Sequence, residues 1–518
     1  MKVLKILALT FSVAAYTATI FAQETKLIPL TTNSEKALEL MRTVMANAEE
    51  FRGNDNPPLL EEILRLDPNF FFAKTYNSIL LENNAYRANL NNAYENRSNV
   101  SEIEEKIIEA TYQQYINSNI VLADKIIDDL ISKYPEYYQL RLVSADLKND
   151  LKDPYAKDSR YAEILEQNSN SFPALFRRAQ LHFPVDNDIV NFPIEERDTD
   201  LAASYLMKAA GLQPKNPGPQ RFLGNVYREQ KNLSMAKQSY QSARLLMGEP
   251  DGTDFTYSNI LLMLGHVETF SGNYREARKL YDESLEVLDF RQKPTIFQYP
   301  VFTYFYERDY EQAIIAFTRM RSEINSSNQD QEWKTANITL MEENIFISYL
   351  HNQDEQGANK SLQQLAGFKR NELNSYLTSG ASREQLLALK NKNDIYLLEL
   401  RIWKDILFGS SNIEPQLNRF KALLEKNLSQ DPNALTLYYK YSGYAALMSG
   451  DNQAAINHYS KISNIEMDDD NYHSYFYALA LRGSGDTEKS STILKRVAEN
   501  TFATRGAALV QMLAKRQL

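Results

Sequence analysis

The side chains that most often carry catalysis are few in this sequence and lie far apart. The chain has no cysteine, so a thiol nucleophile is excluded. No two of its histidines lie three to five residues apart, which excludes zinc chemistry of the HExxH type. The five histidines are His182, His266, His351, His458 and His473.

Motifs that hold a phosphate or activate a serine are missing as well. The sequence contains no GxxxxGK[ST] loop, no GxGxxG motif opening a helix and no GxSxG elbow. Its 67 aspartates and glutamates could include an acid–base pair, but nothing in their pattern marks one pair as buried. The sequence therefore predicts a protein that is not an enzyme, with no cofactor and no metal site.

Two short acidic runs are the remaining candidates for a divalent cation. One, residues 186–188, lies in an acidic, proline-containing insert predicted at 184–198, for which a plain surface loop is the preferred interpretation. The other is the run of three aspartates at 468–470, which lacks the alternating ligand spacing of a calcium loop. Negative charge stabilises a helix N-terminus, so we expect this second run to cap the helix that follows it.

The composition predicts a long and mostly helical protein. Glycine and proline each number 17 of 518 residues, about 3% apiece, against typical usages of roughly 7% and 5%. Loop-rich sandwiches, barrels and glycine-rich nucleotide folds need more turn residues than that. The 32 tyrosines and 24 phenylalanines supply ample core material, which excludes a disordered chain.

The first 22 residues have the pattern of a secretory signal peptide. Lys2 and Lys5 precede an apolar run at 6–15, and a small-residue cleavage site ends at Ala22. A membrane anchor is the alternative, but the apolar run is short for a span of about 20 residues. Without cysteine the chain cannot be a lipoprotein. We therefore expect an exported, soluble protein in the periplasm of a Gram-negative bacterium, with residues 23–36 as a lead-in.

The charge balance disfavours some classes of partner. The formal net charge is −10, and because the leader holds two lysines and no acidic residue, its removal makes the charge −12. Nucleic-acid binding needs clustered lysine and arginine, and anionic membranes repel an acidic protein. The sequence thus predicts no nucleic-acid partner. No segment after residue 22 approaches 18 uninterrupted apolar residues, so it also predicts that the chain is not an integral membrane protein.

A repeated spacing of three small or aromatic residues indicates the architecture. In three segments a glycine is followed 12 residues later by an alanine and 4 residues after that by a tyrosine. The three sets are Gly224, Ala236, Tyr240; Gly265, Ala277, Tyr281; and Gly443, Ala455, Tyr459. The spacing predicts two helices joined by a tight turn, with glycine and alanine where the two backbones approach and tyrosine beside that contact.

This pattern resembles the tetratricopeptide repeat (TPR), a helix–turn–helix unit of about 34 residues. The resemblance implies an all-α fold, an α-solenoid superhelix of about twelve TPR-like units with a C-terminal capping helix at 505–518. The predicted organisation is an N-terminal array at 37–327, a polar linker at 328–338 and a C-terminal array at 339–518. A helical solenoid of another type, or an irregular helical bundle, is the alternative. The predicted units are 37–70, 71–103, 104–137, 138–171, 172–216, 217–250, 258–291, 294–327, 339–372, 386–434, 436–469 and 471–504.

The resemblance also implies a mode of action. TPR arrays hold peptides or partner proteins on a concave surface formed by the first helix of each unit. Arg221 and Asn225, one helical turn apart, are similar to one half of a carboxylate clamp, whereas Leu262 stands where a second half would need a polar donor. The alternative is that the aromatic candidates simply pack between first helices. The predicted partner-binding residues are Arg221, Asn225, Arg228, His266, Phe270, Phe302, Phe305 and Tyr306.

The function that these observations favour is a non-enzymatic scaffold or adaptor for protein partners in the bacterial cell envelope. One alternative is a SusD-like glycan-binding protein of the outer membrane, which normally needs a lipidated cysteine and aromatic platforms. This chain has no cysteine and only two tryptophans, Trp333 and Trp403. The other alternative, an envelope hydrolase, has no support in the motifs.

Overall fold

The computed structural model describes residues 26–50, 56–79, 84–183, 189–250, 252–410, 412–428 and 431–518. The predicted signal peptide at 1–22 and the acidic run at 186–188 lie outside them. Within the described residues the chain forms 26 α-helices and no β-strand. It divides into two compact units, unit 1 at residues 1–214 and unit 2 at residues 215–518.

The helices of the two units follow one another in pairs. In unit 1 they are α1 (Glu35–Glu49), α2 (Asn56–Leu66), α3 (Phe71–Ile79), α4 (Asn84–Glu95), α5 (Glu102–Tyr115), α6 (Ile120–Lys133), α7 (Tyr138–Asp150), α8 (Pro154–Gln167), α9 (Phe172–Ala179) and α10 (Thr199–Leu212). In unit 2 they are α11 (Pro217–Glu229), α12 (Leu233–Met247), α13 (Phe255–Phe270), α14 (Tyr274–Glu286), α15 (Lys293–Glu307), α16 (Tyr310–Ser326), α17 (Gln331–His351), α18 (Glu355–Thr378), α19 (Arg383–Leu407), α20 (Ile413–Leu424), α21 (Thr436–Met448), α22 (Asn452–Tyr459), α23 (Asn464–Asp469), α24 (Asn471–Gly483), α25 (Thr487–Ala498) and α26 (Arg505–Gln517).

The predicted fold class, an all-α solenoid of TPR-like helix pairs, is confirmed. Each of the twelve predicted units contains one pair, from α1 with α2 to α24 with α25, and the two members of each pair pack against each other. The short helix α23 is an addition between the last two pairs. The predicted C-terminal helix at 505–518 corresponds to α26.

In eight of the pairs, the turn between the two helices has a left-handed residue followed by an asparagine or aspartate. Gly272 and Gly450 have φ of +80° and +87°, and Lys231 reaches +62° without being glycine. The next residue begins the second helix as its N-cap, as Asn232 does by accepting a hydrogen bond from the Met235 N–H at 3.2 Å. Because asparagine and aspartate satisfy the free N–H groups at a helix start, the turns need little glycine. Other left-handed turn residues are Ser118, Lys152, Arg308, Gln353 and Gly485.

The glycine of the repeated triplet makes room for the tyrosine ring of its own pair. A Cβ atom built on Gly224 or Gly265 would overlap the ring of the tyrosine 16 residues later, and on Gly443 it would lie 2.8 Å from such a ring. Those rings belong to Tyr240, Tyr281 and Tyr459, each at most 1% exposed, and the triplet alanines Ala236, Ala277 and Ala455 are fully buried. The small residue therefore accommodates an aromatic ring, which fixes how the two helices of a pair pack.

The fourth pair departs from this pattern at Lys157, which occupies the position of the small residue in α8. Its side chain is 6% exposed, and its Nζ donates a hydrogen bond to Oδ1 of Asn149 on α7 at 2.8 Å. Burial lowers the pKa of the Lys157 amine to about 8. A polar contact between the two helices thus replaces the apolar one.

The boundary between the compact units differs from the predicted linker. Residues 331–338 of that linker belong to α17, whose N-cap Asp330 accepts a hydrogen bond from the Trp333 N–H at 2.8 Å. The stretch is polar because that part of α17 is exposed or half-buried rather than because it is a loop. The division between units falls instead between Pro214 and Lys215.

The predicted insert folds back onto the helix that precedes it. In its described part, the Phe192 N–H donates to the Leu181 carbonyl at 2.9 Å, and the Phe192 side chain is 8% exposed. Asn191 donates from Nδ2 to the Gln180 carbonyl at 2.6 Å. In the part of the chain described here, none of the helices combines the length and the apolar character that crossing a bilayer requires.

Candidate functional site

The eight side chains predicted to bind a partner lie on three consecutive first helices of unit 2, namely α11, α13 and α15. Arg221 and Asn225 are half-buried, and the other six are at most 9% exposed. Those six are Arg228, His266, Phe270, Phe302, Phe305 and Tyr306. The structure thus shows most of this set as packing residues, and its role in partner binding stays a prediction.

Two of the predicted polar residues hold the tyrosine of the repeated triplet. The Tyr240 hydroxyl donates to Oδ1 of Asn225 at 2.6 Å. The Tyr281 hydroxyl lies 2.8 Å from Nδ1 of His266 and 2.9 Å from Oγ1 of Thr269. Burial lowers the pKa of His266 well below its ordinary value, so the ring is neutral and suits this network. Asn225 and His266 therefore stabilise their own helix pairs.

A matched pair of substitutions tests this structural role. We expect Tyr281→Phe to destabilise unit 2 by about 1–2 kcal/mol, because it leaves His266 buried with an unpaired ring nitrogen. Tyr459→Phe should change stability by less than about 0.5 kcal/mol, since the buried Tyr459 hydroxyl has no hydrogen-bond partner among the described residues. Both tryptophans of the chain, Trp333 and Trp403, lie in unit 2, so tryptophan fluorescence during denaturant unfolding reports on that unit. Equal losses in the two variants would contradict the assignment.

The four aromatic candidates belong to one apolar core cluster. Phe270, Phe302, Phe305 and Tyr306 are all members of the cluster that continues through the later pairs to α26. The Phe302 and Phe305 rings lie 5.6 Å apart, and the Tyr306 ring stacks on Tyr274 at 5.7 Å. These rings pack between helices, as the alternative interpretation of the sequence expected.

The C-terminal segment covers part of the predicted surface. Oγ1 of Thr501 donates to the Arg228 carbonyl at 3.2 Å, and the Arg228 guanidinium lies 5.3 Å from the centre of the Phe502 ring. Farther along, α26 packs against α15 as well as against α24 and α25. Residues 501–517 therefore occupy space that an external segment would need at α11 and α15.

In a cavity of unit 1, the two charged side chains of the wall pair with each other. It is an open groove of about 580 Å³ between the α6–α7 and α8–α9 connections, and Lys26 and Glu136 both line it. Those two side chains form an exposed ion pair of 2.9 Å. Exposed pairs of this kind contribute little to stability. No described residue of the wall has a buried side-chain polar atom without a hydrogen-bond partner.

A smaller cavity in unit 2 has a different character. It measures about 210 Å³ and is lined by α19, α21, α24 and α26, the first helices of three consecutive pairs and the C-terminal helix. Trp403, Tyr441 and Tyr472 form aromatic parts of its wall. We call it the Glu399 cavity, after the carboxylate in its wall.

Glu399 has an environment that disfavours its charge. Its Oε1 accepts a hydrogen bond from the Tyr441 hydroxyl at 3.0 Å, and the side chain is half-buried. Burial, with a smaller contribution from nearby Glu343, raises the pKa of Glu399 to about 7, although Tyr441, Arg505 and Lys440 act in the opposite direction. The carboxyl group is therefore close to half ionised at neutral pH.

The other charges around the cavity are already paired. Nη1 of Arg505 on α26 lies 2.8 Å from Oε1 of Glu343 on α17. Nζ of Lys440 on α21 lies 2.9 Å from Oδ2 of Asp470, the N-cap of α24. Asp470 also accepts a hydrogen bond from the His473 N–H at 3.0 Å, the capping role expected for the aspartate run. Glu399 is the remaining charge in this group.

The aromatic wall contains one buried ring nitrogen without a hydrogen-bond partner among the described residues. Nε1 of Trp403 donates to the Tyr472 hydroxyl at 3.0 Å, and the Tyr441 and His473 rings lie 5.3 Å apart. His473 is 6% exposed, and its Nδ1 has no hydrogen-bond partner among the described residues. Burial lowers the pKa of His473 to about 4, so its ring is neutral at pH 7.

The sequence contains one signal for this cavity, which is separate from the repeated glycine–alanine–tyrosine triplet. Glu399 lies three residues after Tyr396 and four before Trp403, so a carboxylate stands between two aromatics at helical spacing. The unit that contains it, predicted at 386–434, matches the repeat poorly, and α19 is long at 25 residues. The other helices that line the cavity are α21, α24 and α26. They are distant in sequence from Glu399, so no local motif predicts that they contact it.

Comparisons with known proteins give no family. No family model matches the sequence, and no curated protein matches it. Solved structures with some likeness include Naa15/Naa10 bound to HypK-THB, at 14% identity over 93% of this chain and 70% of that chain with a TM-score of 0.28. They also include the APC/C hetero-tetramer Cut9-Hcn1, at 11% identity over 81% of this chain and 74% of that chain with a TM-score of 0.30. A human IFIT1 dimer with m7Gppp-AAAA matches at 11% identity over 83% of this chain and 95% of that chain with a TM-score of 0.29.

At these identities and TM-scores the likeness carries no inference about partners or ligands. The assignment of the fold rests on the helix pairs themselves. What the molecules in those structures bind belongs to those structures.

Proposed function

We propose that this protein is an exported, non-enzymatic scaffold that binds protein partners in the cell envelope of a Gram-negative bacterium. The observation that carries the proposal is the succession of packed helix pairs within each of the two units. Stacked pairs of this kind form extended binding surfaces. Stacked helix pairs of this kind act as binding surfaces far more readily than as catalytic clefts.

Only parts of the surface formed by the first helices of unit 2 are accessible. A partner in this unit would have to bind at one of those parts. Arg221 and Asn225 on α11 are half-buried, and Arg221 lies 4.6 Å from the centre of the Phe222 ring. Burial lowers the pKa of Arg221, yet no carboxylate among the described residues forms a salt bridge with it. The Glu399 cavity is another accessible feature formed by first helices of this unit. We propose these two places as partner contacts.

The glycan-binding alternative has less support. Trp403 is 7% exposed and donates its indole N–H to Tyr472, so it does not form an exposed platform for a sugar ring. Trp333 is half-buried beside Phe290, with ring centres 5.8 Å apart.

The location and the binding role are tested together in a bacterial host that exports the full chain. We expect the mature protein to begin at Gln23 and to fractionate with the periplasm, and tagged protein to recover a reproducible set of partners after cross-linking. Arg221→Glu should reduce that set by at least about threefold, because the reversed charge repels the acidic group that the half-buried guanidinium favours.

Arg275→Glu is the matched control for this experiment. Arg275 is an exposed residue of the second helix α14, so the same reversal of charge there should leave the partner set unchanged. An unprocessed N-terminus would contradict export. Identical partner sets for wild type and both variants would contradict binding at α11.

A further inference from the structure

In the Glu399 cavity, the carboxylate of Glu399 has no positively charged hydrogen-bond donor as a partner among the described residues. Two ion pairs around it, Arg505 with Glu343 and Lys440 with Asp470, neutralise each other's charges. When Glu399 is ionised, the group therefore carries one negative charge in excess. A ligand that brings one positive charge would balance it in a site where solvent screening is weak.

The carboxylate of Glu399 has one oxygen left to accept a hydrogen bond. Oε1 of Glu399 is occupied by Tyr441, whereas no hydrogen bond to its Oε2 is found among the described residues. Nδ1 of His473 also has no partner among the described residues, but it is closed off from solvent and does not face a ligand.

The size and lining of the cavity restrict the cation. About 210 Å³ accommodates an ammonium group with a short alkyl stem. The rings of Trp403, Tyr441 and Tyr472 offer faces or edges to a cation and its methylene groups. Leu437 and Leu509 supply apolar surface for the stem.

Other classes of ligand fit this cavity less well. An anion would meet the charge of Glu399, while both nearby cations are already paired. A metal ion needs several carboxylate or imidazole ligands together, and no group of three such side chains suited to a metal occurs in the part of the chain that the structure describes.

We propose that the Glu399 cavity is a binding site for a primary alkylammonium group, held by the carboxylate of Glu399. The group could belong to a small free amine or to a lysine side chain, and only the second source rests on the proposed scaffold function.

Binding should depend on pH through Glu399. An alkylammonium stays protonated up to about pH 10, whereas the pKa of Glu399 is about 7. The fraction of Glu399 that is ionised, and therefore able to bind the cation, rises from pH 6 to pH 8. The groups facing Glu399 are Glu343 on α17, Lys440 and Tyr441 on α21, Asp470 and His473 at α24, and Arg505 on α26. Burial places the pKa of His473 near 4 and that of Tyr441 well above its ordinary value, so neither titrates in this interval. We expect affinity about tenfold higher at pH 8 than at pH 6.

The test uses the full chain and n-butylammonium as the probe, measured by calorimetry and by the fluorescence of Trp403 in a Trp333→Phe background. We expect saturable binding of butylammonium and none of 1-butanol, which has a similar shape without the charge. Glu399→Gln, which keeps the shape of the side chain, should weaken binding at least tenfold and remove the pH dependence. Equal binding of butanol, or unchanged binding by Glu399→Gln, would overturn the proposal.

Two further arms identify the source of the ammonium and protect the test against misfolding. Binding of Nα-acetyl-lysine amide would assign the site to lysine side chains, whereas butylammonium binding without it would assign the site to free amines. Tighter binding of guanidinium than of butylammonium would contradict the ammonium class. If Glu399→Gln unfolds, Tyr441→Phe is the second variant, because it frees Oε1 but removes a hydrogen bond that lowers the pKa of Glu399. It should bind butylammonium with the rise in affinity moved to higher pH, and loss of binding at pH 9 by a folded Tyr441→Phe variant would count against the site. None of these results depends on the partner experiment, so the two proposals fail separately.

Discussion

Replacing Gly265 by leucine is expected to lower the free energy of unfolding of unit 2 by about 2–3 kcal/mol. A Cβ atom at this position already overlaps the ring of Tyr281. That ring is 1% exposed, and hydrogen bonding to His266 and Thr269 holds it in place, so it cannot turn aside. The helix propensity gained over glycine, up to about 1 kcal/mol, offsets only part of this cost.

Gly367→Leu is the matched control for this prediction. Gly367 also lies inside a helix of unit 2, α18, but a Cβ atom there would meet only Nη2 of Arg370 at 3.9 Å. We expect this variant to be as stable as wild type or more stable by up to about 1 kcal/mol. Both variants are compared by denaturant unfolding with tryptophan fluorescence. Equal stabilities would show that the triplet glycine does not determine the packing of its helix pair.

The helix pairs could be predicted from the sequence because their determinants are local. The spacing from Gly265 to Tyr281 spans one pair, and the contact between these two residues depends on that pair alone. The turns were harder to predict, because most use residues such as Lys231 or Arg308 in the left-handed region rather than glycine. The asparagine or aspartate that follows is the better sequence signal, since it caps the second helix.

The covering of the predicted binding surface could not be predicted in this way. An amphipathic pattern shows which face of α11 or α15 is apolar, but it does not show what packs against that face. The contact between Thr501 and Arg228 joins residues 273 positions apart. A contact over such a distance depends on how several pairs pack on one another, which no single pair contains.

The role of two predicted binding residues also could not be read from the sequence. Asn225 and His266 are polar residues on a first helix, which is what a binding surface would show in sequence. Each stands next to a triplet glycine, and the structure pairs each with the hydroxyl of the corresponding tyrosine. In sequence, a polar side chain that satisfies a buried hydroxyl looks the same as one that faces a ligand.

Introducing a charge at Val510 is expected to have the largest effect of any substitution considered for unit 2. Val510 on α26 is 1% exposed and belongs to the apolar cluster that also contains Phe302 and Phe305 of α15. Val510→Asp places a carboxylate there without a partner, which costs about 4 kcal/mol unless α26 leaves its place. Lys515→Asp, at an exposed position of the same helix, should cost less than about 1 kcal/mol.

Hydrogen exchange in Val510→Asp then distinguishes two roles for α26. If α26 only closed the end of the last pair, its release would reduce amide protection in α24 and α25 alone. Because α26 also packs on α15, and Arg505 bonds to Glu343 of α17, we expect protection to fall in α15 and α17 as well. Loss confined to α24 and α25 would contradict this view. Loss that includes α15 would show that the C-terminal helix stabilises pairs roughly 200 residues earlier in the chain, because it packs directly against them.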